Sequence, residues 1–69
     1  MTLDDLIQTI PAAWMLMSLA EDPKHGAYCC LRTRQPVDEK QFHPAAISFG
    51  RDYTEALSLA IEKAKKVQL

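Results

Sequence analysis

Glycine is nearly missing from this chain, with two in 69 residues, at positions 26 and 50. So sparse a supply leaves no glycine-rich loop to cradle a phosphate, and neither a Walker motif nor a dinucleotide fingerprint is present. An excess of either charge is missing too. Eight basic and nine acidic side chains leave a formal net charge of −1, so nothing draws the whole molecule to nucleic acid or to an anionic membrane. The longest apolar run, residues 10–20, is too short to span a bilayer and contains Pro11. The acidic opening is unlike the basic start of a secretory signal, and a cytoplasmic location is expected. The two cysteines, Cys29 and Cys30, are adjacent. On a strand they point to opposite faces, which disfavours a disulfide between them and fits small buried hydrophobes in a reducing compartment.

What is present is a composition for one small soluble domain: 48% apolar and 25% charged. Residues 52–67, DYTEALSLAIEKAKKV, carry the clearest periodicity. Tyr53, Ala56, Leu57, Ala60, Ile61, Ala64 and Val67 recur at helical spacing and form one apolar stripe. Asp52 is a natural N-cap, and Glu55 completes a capping box. Glu62 and Lys66 are spaced to pair, and Lys63, Lys65 and Lys66 oppose the negative end of the helix dipole. Alanines at positions 56, 60 and 64 flatten the stripe, so a sheet or another helix can approach closely. Gly50 lets the chain turn before the helix.

Residues 2–10 predict a shorter helix. Leu3, Leu6, Ile7 and Ile10 follow the i, i+3, i+4, i+7 rule, Thr2 and Asp5 form a capping box, and Pro11 ends it. Residues 13–20, AWMLMSLA, suit the first strand of a hairpin buried on both faces, although a short buried helix starting near Pro11 carries the same pattern. Residues 22–26, DPKHG, read as the hairpin loop. Residues 27–34, AYCCLRTR, follow as a strand with Tyr28, Cys30, Arg32 and Arg34 on one face. Residues 35–44 read as a connecting loop, and 45–49, AAISF, as a third strand. The expected fold is α+β in the order αβββα: one domain, a three-stranded antiparallel sheet with two helices packed on one face. The other sheet face is left free or available to a second subunit. Short edge strands in so small a domain favour a homodimer.

The usual soft metal ligands are His25, Cys29, Cys30 and His43. They lack the paired spacing of a zinc site, so neither metal nor cofactor is expected. His25 has the chemistry of a general acid or base. A lone loop histidine is more often a solvated surface residue, and no catalytic residue is assigned. Trp14, Met15 and Met17 read as core rather than as a ligand box. Met15 or Met17 would meet a partner if the outer sheet face is an interface. Acidic residues dominate 1–23, whereas 24–34 hold Lys24, Arg32 and Arg34 and no acid. Lys24, Arg32, Arg34 and Arg51 therefore form the candidate binding cluster. Arg32 and Arg34, two apart on one strand face, would project together toward a phosphate, a nucleotide or an acidic protein surface. The bland alternative is a solvated face paired across the hairpin with Glu21 or Asp22.

The αβββα order resembles the double-stranded-RNA-binding domain. That family holds phosphates with a lysine pair at the start of its last helix. Here the position reads Asp52-Tyr53-Thr54-Glu55, so the resemblance implies the fold and not the RNA site. The same topology resembles HicA-type mRNA interferases, whose catalytic histidine follows a glycine-serine pair. Only His25, in Lys24-His25-Gly26, matches. The opening MTLDDLIQTIPAAW and the closing YTEALSLAIEKAKK resemble short phage and prophage proteins described as alpha-beta-alpha sandwich domains. That resemblance implies a mobile-element accessory protein acting by binding a host protein or protein complex. Such a protein would inhibit a host defence complex in the manner of an anti-CRISPR protein, or sequester a nucleotide. An RNA-directed protein is the alternative, with nucleic acid the less favoured partner and no membrane contact expected.

Overall fold

The computed structural model describes residues 2–36 and 42–67. Part of the predicted 35–44 loop therefore lies outside the described residues. The elements are α1 (Leu3–Gln8), β1 (Trp14–Asp22), β2 (Gly26–Thr33), β3 (Ala45–Gly50) and α2 (Tyr53–Lys66). The strands form one antiparallel sheet in the order β1-β2-β3, with both helices on one side of it. This is the α+β architecture that the sequence predicts. The molecule is 17 Å across its thinnest direction. That is room for one sheet and one helix layer spaced about 10 Å apart, and for nothing more.

Local chemistry explains each element. In α1 the capping box is complete: Asp5 N–H donates to Thr2 Oγ1 at 3.2 Å, and Thr2 N–H donates to the Asp5 carboxylate at 3.1 Å. In α2 only half of the predicted box forms. Glu55 N–H donates to Asp52 Oδ1 at 2.8 Å, but the Glu55 carboxylate turns away and accepts from Arg51 N–H and its guanidinium at 3.1–3.3 Å. Glu62 lies 3.8 Å from Lys65 rather than pairing with Lys66. Lys63 leaves the helix surface to donate to Ile47 O on β3 at 2.7 Å. That contact occupies a backbone acceptor on an edge strand, where open groups invite strand pairing.

The ambiguous stretch around Trp14 is a strand. It contains a bulge: Leu16 pairs with Leu31 and Ser18 with Cys30, leaving Met17 as the extra residue. Before the bulge Trp14 and Leu16 turn inward; after it Leu19 does. The bulge shifts the alternation by one residue, which is why the run shows no simple period of two. It is not buried on both faces, since Met17 is 49% exposed.

The core lies between the inner sheet face and α2. Ala27, Cys29 and Leu31 of β2 meet Ala56, Leu57, Ala60 and Ile61, with Trp14 and Leu6 closing the ends. Tyr53 and Val67, the terminal members of the predicted stripe, stay more than a third exposed. The small helix side chains allow a close approach, and Gly50 enforces it: a Cβ there would stand 2.6 Å from Ala56 N. Gly50 thus serves the seating of α2 on β3 rather than a turn. Gly26 has φ +103°, and a Cβ on it would meet Arg51 O at 2.4 Å. It lets the hairpin pass against the β3–α2 connection.

Candidate functional site: the outer face of the sheet

With both helices on one side, no described residue forms a layer over the opposite sheet face. The register places Met15, Ser18 and Ala20 of β1, Tyr28, Cys30 and Arg32 of β2, and Ala45, Ile47 and Phe49 of β3 on it. Ile47 and Phe49 are 42% and 43% exposed. Among these side chains there is no lysine and no glutamate. Large apolar groups, aromatics and an arginine, with other charges depleted, are the composition of the centre of an interface.

The hairpin builds one end of the face. Asp22 Oδ1 accepts from Lys24 N–H at 2.9 Å, and its second oxygen lies 3.0 Å from His25 Nδ1. These contacts close an Asx-type turn and aim the imidazole back over the sheet. There the ring stacks on Phe49, with centroids 4.5 Å apart and planes tilted by 33°. Tyr28, directly opposite Phe49 in the register, completes the group at 5.7 Å. The backbone N–H of Lys24, and then His25, hold the Asp22 carboxyl below its usual range. His25 is exposed, as its sequence position suggests, but it is tied to Asp22 and stacked on Phe49 rather than isolated. His43 Nδ1 lies 3.1 Å from Thr33 O, tied to the end of β2.

Arg32 marks the other end. It pairs in register with Met15 and Ala45, and its Nε is buried without a hydrogen-bond partner among the described residues. Arg34 does not share its strand. It lies past the end of β2, and its Nε donates to Ala12 O at 3.2 Å. The expected side-by-side pair of guanidinium groups on one strand therefore does not form. Nor does Arg32 pair with Glu21 or Asp22 across the hairpin. Those acids stand opposite Ala27 and Gly26, at the far end of β2. Lys24 sits in the hairpin turn, and Arg51 lies beside Gly26 and is bonded to Glu55. The four predicted cations thus divide into two pairs, Arg32 with Arg34 and Lys24 with Arg51. The length of the sheet separates them: the six steps from Gly26 to Arg32 span about 20 Å.

The cysteines take opposite faces, as expected. Both are free thiols, Cys29 in the core and Cys30 half-buried on the outer face. Burial, aided by the neighbouring Cys30, pushes the Cys29 thiol up to about 11, so it is inert at neutral pH. Among the described residues no three His, Cys, Asp or Glu side chains gather as a metal site, and no helix is long and apolar enough to cross a membrane. A depression of about 440 Å³ on the helical side is lined by Leu6, Asp52, Thr54, Glu55, Ser58 and Leu59. Its polar lining is two carboxylates and two hydroxyls.

Sequence reasoning missed Tyr28, Ile47 and Phe49 as candidate contact residues. The signal was present in AAISF, which is apolar at every second position while the chain supplies helices for only one face. No family model matches this chain, and no curated protein or solved structure matches it, so its function is read from the geometry alone.

Proposed function

We propose that this protein acts by binding rather than by catalysis, and that the outer face of its sheet is the working surface. One observation carries this reading. Among the described residues, nothing covers the sheet face that carries Met15, Tyr28, Cys30, Ile47 and Phe49. Exposed apolar surface of this kind marks an interaction site when it is contiguous rather than scattered. Its role would be that of a phage-type accessory protein in the host cytoplasm, blocking a macromolecular assembly of the host, such as a defence complex, by occupancy. The predicted cations take part from the rim, Arg32 and Arg34 at one end and Lys24 at the other.

Photo-crosslinking in the host cell tests the surface. A photoreactive phenylalanine analogue replaces Phe49 in one variant and Ser58, on the exposed side of α2, in another. Discrete adducts are expected from position 49 and not from position 58. Equal labelling from both positions, or adducts from position 58 alone, would remove the outer face from the account.

A further inference from the structure

Resting on that reading of the face, we infer that its occupant is a strand of unpaired nucleic acid, with bases stacked on the His25–Phe49–Tyr28 group and a phosphate held by Arg32. Three observations converge on this chemistry. First, the aromatic rings are in mutual contact, with centroids 4.5 and 5.7 Å apart, on a surface that no element of the fold covers. Stacking on such rings suits any unpaired base, because every base presents a π-face. Second, Arg32 stands on the same face, only half-buried, and forms no ion pair among the described residues. A phosphate oxygen supplies the opposite charge. Third, positive charge brackets the aromatic strip: Lys24 lies in the hairpin, and Arg32 and Arg34 lie at the opposite end. A chain of phosphates running along β2 meets a cation at either end while its bases lie over the apolar middle.

A second copy of the chain fits this face less well. Among the described residues the face carries one carboxylate, Asp22, and that group is already engaged by Lys24 N–H and His25. Stacking two copies would bury two guanidinium groups with no free acid to meet them, which is strongly unfavourable. Duplex nucleic acid fits less well again, because its bases are not free to stack on a side chain. The near-neutral net charge is compatible with the inference, since the contact draws on stacking more than on a general basic field.

The test uses fluorescence anisotropy with labelled oligo-dT and oligo-U, a duplex of mixed sequence, and dTMP as competitor. Single strands are expected to bind, with duplex at least tenfold weaker. Phe49→Leu keeps apolar area and removes the ring, and should weaken binding by roughly fivefold or more, whereas Phe49→Trp should retain it. Arg32→Met should lower the slope of log affinity against log salt by about 0.7, the share of one single-strand phosphate. Ser58→Ala serves as the control and should bind as the parent does, and circular dichroism confirms the fold of each variant. Phe49 is exposed, so its replacements are not expected to unfold the chain. Binding unaffected by Phe49→Leu, equal affinity for duplex, or dTMP competing as well as the oligonucleotide would each overturn the inference. Absence of oligonucleotide binding alongside protein adducts from position 49 would overturn it while leaving the outer face as the working surface. Loss of both signals would remove both.

Discussion

The two faces of the sheet are built from the same strands and have opposite fates. On the inner face Ala27, Cys29 and Leu31 lie fully buried beneath α2. On the outer face their neighbours Tyr28, Cys30 and Arg32 remain partly open. The difference does not lie in apolar content, since both faces carry large apolar groups. It lies in packing: the inner face has an alanine-lined helix seated on it, and the outer face carries rings, a thiol and a guanidinium with no described helix above them. A face that stays apolar with no internal use for that character is better explained by contact with another molecule than by folding.

Truncations across the comparison should give the largest effect. Leu57→Ala, beneath the helix, should cost about 2–5 kcal/mol through lost burial and the cavity left behind. Ile47→Ala, at 42% exposure on the outer face, should cost no more than about 1 kcal/mol. Urea denaturation of both variants reads the difference, and equal losses would mean that the outer face is covered in solution.

A smaller effect sharpens the inner side. Ser48 is buried, and its hydroxyl has no hydrogen-bond partner among the described residues. Ser48→Ala should therefore stabilise the protein, by about 1 kcal/mol, because it removes an unsatisfied buried group. A fall in the urea midpoint would show that the hydroxyl is satisfied.

A change of pH separates the faces in another way. Burial raises the Cys29 thiol from 9.0 to about 11, so the folded protein holds its proton after the unfolded chain has released it. The stability this contributes is complete below about pH 9 and is lost as pH rises toward 11. Cys29→Ala should flatten the alkaline decline in the urea midpoint over that window, and Cys30→Ala should leave it steeper than Cys29→Ala does. Identical profiles for the two variants would contradict the assignment of faces.

Much of the framework was legible from residues alone. The caps at Thr2 and Asp52, the stripe from Ala56 to Ala64 and the opposed cysteines follow from local rules of spacing and hydrogen bonding. The candidate site was less legible. Arg34 was expected beside Arg32, but β2 ends at Thr33 and Arg34 is drawn to Ala12 O. A strand's end is set by its pairing partners, which no local pattern specifies. The stack of His25 on Phe49 joins residues far apart in the chain. It depends on the Asx-type turn at Asp22 and on the register that sets Tyr28 opposite Phe49.

The sequence by itself determined the two helices and which side of α2 is buried, because helical period, capping and breakers act within a few residues. Only the tertiary structure decided the phase of β1 around Met17, the division of the cations between the ends of the sheet, and the aromatic group on the uncovered face. Those features depend on register and on which face the helices occupy. Both are fixed by contacts between segments distant in sequence, where the balance of burial across the whole domain outweighs any local preference.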